Sequence, residues 1–139
     1  MILIKGKPIA KKRPRFVVKN GRLWAYNSQE TEESLWIYQA QEQIDFKYNE
    51  PIGIEVTFYL PRPKNHYGTG KNAGKLKKNA PHYHTKKPDL DNLEKFCFDC
   101  LNNLAWIDDA QIISVVSSKK YDDLPRTEIE IMRMENDIK

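Results

Sequence analysis

Residues 87–95 read KPDLDNLEK, with two carboxylates two positions apart and an ammonium four positions after the second. Pro88 biases Lys87 toward extended backbone. In extended chain, side chains two apart point the same way. Asp89 and Asp91 are therefore expected to face one ligand together. Two further acids, Asp108 and Asp109, lie in WIDDAQ, between the next helix and the next strand. The expectation is that this connection returns them to the first pair. Clustered carboxylates repel, and left alone one of them would stay protonated. A hard divalent cation removes that conflict, and an all-oxygen ligand set points to Mg²⁺ or Mn²⁺ rather than Zn²⁺. Lys95 follows Asp91 by one helical turn on the same face. There it can hold a non-bridging phosphate oxygen as a point charge.

The surrounding charge suggests the substrate. Eight basic residues (Lys5, Lys7, Lys11, Lys12, Arg13, Arg15, Lys19, Arg22) occur before residue 30 with no acid among them. Eight more (Arg62, Lys64, Lys71, Lys75, Lys77, Lys78, Lys86, Lys87) lie in the acid-free stretch 56–88. Two such blocks in a chain of net charge only +4 mark a polyanion-binding surface. Lys11, Lys12, Arg13, Arg15, Lys75, Lys77, Lys78, Lys86 and Lys87 are the expected contacts to a nucleic-acid backbone. A divalent ion on such a surface would act on a phosphodiester, acidifying its bound water and neutralising charge on the phosphate.

Blander readings compete. Asp91 and Glu94 have capping-pair spacing, and Asp91 with Lys95 is an ordinary helical ion pair of about 0.2–0.5 kcal/mol. A cap needs one aspartate, whereas the chain offers Asp89 as well. Cys97 and Cys100 with His82 and His84 could bind zinc, but the cysteines fit the apolar stripe of a helix. GTGKNAGKL at 68–76 fails as a phosphate loop, with Thr69 where glycine is required and Leu76 in place of Ser/Thr. His66, His82 and His84 are expected in solvent or near phosphate. Phe16, Trp24 and Tyr26 could stack on bases or form hairpin core.

The elements that must position these residues follow from periodicity. MILIK at 1–5 suits a strand, and the runs around Asn20-Gly21 within 15–26 suit a hairpin. Ser28 is the expected cap of a helix over 29–46, with Trp36, Ile37, Ala40 and Ile44 as its stripe. Residues 51–60 alternate as a half-buried strand, with Ile52, Ile54, Val56, Phe58 and Leu60 on one side. Residues 61–86 show no period and read as a long loop that a ligand could order. A second helix is expected over 91–104, with Leu93, Cys97, Cys100, Leu101 and Leu104 buried. Strands over 111–121 and 127–134 close the chain through the turn DDLPR.

This describes one α+β domain over 1–139, a small mixed sheet with two main helices on one face. Its 139 residues can hold a real core. The apolar start is too short for a signal peptide or membrane span, and two cysteines make no secreted disulfide framework. The expected setting is cytoplasmic, with no membrane partner.

DLDNLEKFCFDCL followed by WIDDAQI resembles the RusA family of Holliday-junction endonucleases, and KGKPIAKKRPRF is similar to the start of many members. The match is closest over 86–113. It implies an α+β homodimer that binds four-way DNA junctions and cuts two opposed strands symmetrically with Mg²⁺, in bacteria and their prophages. It implies Asp89, Asp91 and Asp109 as metal-binding acids, with Asp108 as a neighbouring candidate, and Lys95 as the catalytic lysine. The gap from Lys95 to Asp109 is about one residue shorter than in the best-known member, and the 61–86 loop is long. A homodimer also follows from need: two opposed cuts require two acid clusters, and one chain holds one. A nuclease for other branched DNA, and a nucleic-acid-binding protein whose acids are only caps, are the alternative functions.

Overall fold

The alternation of residues 51–60 becomes the central strand of the sheet in the computed structural model, which describes residues 1–135. This strand, β4 (Ile52–Leu60), buries Ile52, Ile54, Val56, Phe58 and Leu60, each at most 2 % exposed. Each such side chain contributes about 1.5–3 kcal/mol by leaving water. The chain order is β1 (Ile2–Lys5), β2 (Arg15–Lys19), β3 (Arg22–Tyr26), α1 (Glu30–Gln41), β4, α2 (Leu90–Leu101), β5 (Ile112–Tyr121) and β6 (Arg126–Arg133).

Four strands form a mixed sheet in the order β1-β6-β4-β5. β4 pairs antiparallel with β6 and parallel with β5. A parallel pair needs a long crossover, and here it carries both the 61–86 segment and α2. Trp36 and Ala40 of α1 and Leu93, Phe96, Cys97, Cys100 and Leu101 of α2 join the buried face of β4 in one core. Trp36 meets Phe96 edge-on, with ring centroids 6.3 Å apart. The α+β class, the mixed sheet and the two helices agree with expectation.

Several boundaries differ. α1 ends at Gln41 rather than 46, and its N-cap is Gln29, not Ser28. The Gln29 side chain is buried and used elsewhere: it donates to the Ala10 carbonyl at 2.8 Å and accepts from the Lys12 amide at 2.8 Å. At the other end the chain turns away so that the Tyr48 amide can bond the Ala105 carbonyl. Ile37 and Ile44 are only half-buried. α2 starts at Leu90 and ends at Leu101, leaving Leu104 half-buried in the turn beyond it.

Asn20 and Gly21 both take positive φ, as a two-residue hairpin turn requires. The β2–β3 hairpin nevertheless stands apart from the main sheet, with Phe16, Val18, Leu23, Trp24 and Tyr26 exposed. These aromatics are therefore not core. The 61–86 segment is not structureless either. It holds short 3₁₀ turns at Lys64–His66 and Gly70–Asn72, and bridges between Tyr67 and Leu76 and between Tyr83 and Lys120. Among the described residues, no helix is long and apolar enough to cross a membrane.

Candidate active site

Extended backbone ends at Asp89, the N-cap of α2 (φ −71°, ψ 147°), so Asp91 already sits in the first helical turn. The pair is thus held by a helix start, not by the strand-like alternation the sequence suggested. Partial positive charge at that end favours both carboxylates. The Asp89 side chain makes no capping bond to the helix. Instead both its oxygens face the Lys87 ammonium, at 2.9 and 3.0 Å. One cation already sits on the carboxylate, at a position open to solvent.

β5 anchors this corner from below. Lys119 Nζ donates to the carbonyls of Lys86 and Pro88, both at 2.8 Å. Ser117 Oγ on the same strand donates to Glu94, one turn into α2. The pairing suggested by spacing, Asp91 with Lys95, is not among the ion pairs of the described residues. Lys95 is exposed.

The second acid pair lies elsewhere. Asp108 caps the 3₁₀ turn Asp109–Gln111, accepting from the Ala110 amide at 3.3 Å. Gln111 closes the capping box. Its Oε1 accepts from the amides of Ile107 and Asp108, and its Nε2 donates to the carbonyls of Tyr48 and Glu50. Asp109 Oδ1 accepts from the indole N–H of buried Trp106 at 2.7 Å. Asp109 is half-buried and Asp108 exposed.

This turn leads into the start of β5, whereas Pro88 is tied to Lys119 near its end. Seven residue steps, from Ile112 to Lys119, span roughly 23 Å of strand. Asp108 and Asp109 therefore stand at the opposite end of α2 from Asp89 and Asp91. The expected return within one chain does not occur, because α2 runs back along β5 and separates the two motifs by its full length. Among the described residues, no three His, Cys, Asp or Glu side chains group as a metal centre.

The basic residues divide by environment. Lys11 pairs with Asp99 at 3.0 Å and Glu33 at 3.4 Å. Burial pulls its pKa down, and the two carboxylates more than offset that, leaving it raised. Its backbone amide bonds the Asn92 carbonyl, which ties the N-terminal basic segment to the first turn of α2. Lys12 lies 3.9 Å from Glu32. Arg13, Arg15, Lys75, Lys77, Lys78 and Lys86 are exposed, with no acid within ion-pair distance among the described residues.

Cys97 and Cys100 are buried free thiols in the stripe of α2. Burial pushes Cys97 well above the ordinary thiol range and Cys100 up to about 12. His84 is buried rather than solvated, its backbone bonded to Lys119 and its ring 4.8 Å from that of Tyr121. Sequence reasoning missed Lys119, Gln29 and Gln111. Only the run SSKKY, two lysines ending an otherwise uncharged strand, hinted at the first.

The family model for endodeoxyribonuclease RusA matches residues 5–132. The chain belongs to the RusA endodeoxyribonuclease family. It is 31 % identical over 129 residues to an uncharacterized protein, YqaN, of Bacillus subtilis strain 168, covering 91 % of this chain and 90 % of that one. It is 36 % identical over 87 residues to the crossover junction endodeoxyribonuclease rusA of Lactococcus phage r1t, covering 62 % of this chain and 57 % of the phage protein. Membership in RusA makes the chain a nuclease by family, and the N-terminus of α2 is the candidate place for its chemistry.

Proposed function

We propose that this RusA member is a divalent-metal-dependent endonuclease that resolves four-way DNA junctions by paired, symmetric cuts. The observation that carries this is the start of α2. There Asp89 and Asp91 sit together, Asp89 free of any capping bond, one turn before Lys95 and beside a basic N-terminal segment. The name of the phage relative points to the same substrate.

The donor set fits a hard cation in part. Asp89 presents two oxygens to a positive charge, now the Lys87 ammonium, and Asp91 stands one helical step beyond Leu90. Asp109 is a better candidate third acid than Asp108, because the Trp106 indole orients one of its oxygens while Asp108 caps a turn, but standing at the far end of α2 within one chain it would join this site only across a dimer. When bound, Mg²⁺ or Mn²⁺ supplies charge neutralisation and an acidified water at the scissile phosphate. With such an ion held by Asp89, Lys87 would be free of its present carboxylate partner and able to meet the DNA backbone. Lys95 holds a non-bridging oxygen. Arg13, Arg15 and the lysines at 75, 77 and 78 bind flanking phosphates, and the exposed hairpin presents Phe16 and Trp24 beside them. Two cuts need two such centres, hence a homodimer.

The deciding experiment incubates a labelled four-way junction with the protein in EDTA, then with Mg²⁺ or Mn²⁺ restored. Paired cuts are expected only with metal. Asp89→Asn should bind the junction within a few-fold of wild type and leave it intact. A junction that stays whole with wild-type protein and metal overturns the proposal, as does full cleavage by the Asn variant. Flaps and forks run in parallel show whether four-way junctions are preferred.

A further inference from the structure

The β2–β3 hairpin buries none of its own residues. Every side chain from Arg15 to Lys19 and from Arg22 to Tyr26 is exposed. A lone two-stranded ribbon is at best marginally stable in water, so open apolar surface of this kind points to a partner.

Strand register sorts the hairpin into two unlike faces. Residues directly opposite in an antiparallel pair share a face, and neighbours along a strand alternate. Arg15 stands opposite Tyr26, Val17 opposite Trp24 and Lys19 opposite Arg22, all on one face. Phe16 stands opposite Ala25 and Val18 opposite Leu23, on the other. The first face sets its cations around Trp24 and Tyr26. Arg15, Lys19 and Arg22 have no acid within ion-pair distance among the described residues. The second face has neither charge nor a hydrogen-bonding side chain, and Phe16, Val18 and Leu23 are 63 %, 70 % and 68 % exposed.

The two faces together describe the occupant. Free cations on a segment without acids ask for a polyanion. The apolar face asks for a flat apolar surface within that polyanion, which in DNA is the face of a base pair. A continuous duplex hides those faces by stacking and presents groove edges that are read by hydrogen bonds. The Phe16 face has no donor or acceptor side chain for that task. A four-way junction in its open form leaves the last pair of each arm uncovered at the centre. Apolar side chains such as Phe and Leu are suited to pack against unstacked steps.

The hairpin is also rooted in the right place. Its first strand follows the segment that Gln29 holds at Ala10 and Lys12, and the Lys11 amide bonds Asn92 in the first turn of α2. Five strand residues extend roughly 17 Å, so the Asn20-Gly21 tip stands well out from that root. We propose that the hairpin selects junctions: Phe16, Val18 and Leu23 pack on the uncovered base pairs at the branch point, and Arg15, Lys19 and Arg22 hold the phosphates around it. This rests on the junction-nuclease reading above and names the part of the substrate that the chain senses.

Binding in EDTA, where no strand is cut, tests it on a four-way junction and on a duplex with the sequence of one arm. Wild type should prefer the junction. Phe16→Ser, Val18→Ser and Leu23→Ser combined should lower junction affinity about tenfold or more, the scale of lost base stacking, and leave duplex affinity unchanged. The hairpin lies outside the core, so thermal melts of the two proteins should coincide. Trp24 gives a reading that needs no variant, because it is 53 % exposed while Trp36 and Trp106 are buried. Acrylamide should quench it less in the saturated junction complex than in the duplex complex. Junction preference kept by the triple variant, equal losses on junction and duplex, or equal quenching in both complexes overturns the role of the hairpin. Wild type that binds junction and duplex alike overturns the junction reading and the hairpin proposal with it. Wild type that prefers the junction but never cuts it with Mg²⁺ overturns the nuclease reading alone, and the binding split still decides the hairpin.

Discussion

The ammonium of Lys119 is hydrogen-bonded at 2.8 Å to the carbonyl of Pro88, fastening β5 to the residue before Asp89. A second bond of equal length reaches the Lys86 carbonyl. The corner that presents the first aspartate is therefore held from the strand below, not by α2 alone. Lys119→Met keeps the stem and removes both bonds. Expected losses are about 1–2 kcal/mol of stability, read by urea denaturation, and a fall in single-turnover cleavage larger than the fall in junction affinity. An unchanged cleavage rate would show that Asp89 is positioned without Lys119.

Trp106 is completely buried, and its one polar atom is spent on Asp109. Trp106→Phe keeps a ring in the core but frees the carboxylate to rotate. Partners of this kind typically matter 10–100-fold for a metal site. Cleavage should drop by roughly that factor, with junction binding nearly constant. Equal rates for the two proteins would mean that the indole has only a packing role.

Lys75, Lys77 and Lys78 project from the crossover segment, with no acid close by among the described residues. If they sit on phosphates, replacing all three by glutamine should weaken junction binding and make log K less salt-dependent, by about 0.9 for each phosphate no longer neutralised. Binding measured between 50 and 200 mM salt (about a fourfold span) provides the slope. A slope equal to wild type would place this segment off the DNA.

His84 has a buried Nδ1 without a hydrogen-bond partner among the described residues. Burial, then the charges of Lys119 and Lys7, lower its pKa from the ordinary histidine value. The unfolded chain therefore takes up this proton at a higher pH than the folded one. The contribution of neutral His84 is complete above about pH 6.5 and is lost as pH falls toward the lower folded value. Thermal melts from neutral to mildly acidic pH should show stability declining on the acid side, and His84→Phe should flatten part of that decline. His66, on the same Tyr121 ring, is also lowered, by desolvation and then the charges of Arg62 and Lys77, so the difference between the two proteins isolates His84. Parallel pH profiles for wild type and variant would rule the linkage out.

Much of the architecture was legible in short windows. The β4 stripe, the Asn20-Gly21 turn, the buried face of α2 and the α+β class all follow from local periodicity, which a backbone of fixed repeat converts directly into facing. Helix ends were less legible, because they depend on distant partners. Gln29 caps α1 while its side chain serves residues 10 and 12, and Tyr48 leaves the helix line to meet Ala105.

Residue chemistry, spacing and charge belong to the sequence alone: two aspartates before a lysine, a second acid pair, and two acid-free basic segments. Tertiary structure decided where those groups stand. It sent the hairpin away from the core, buried His84, brought Lys119 under Pro88, and put Asp109 at the far end of α2 from Asp89. The physical reason is the parallel β4–β5 pair. Its crossover helix must run back against the strands, so the residues before that helix and the residues after it finish at opposite ends of the sheet.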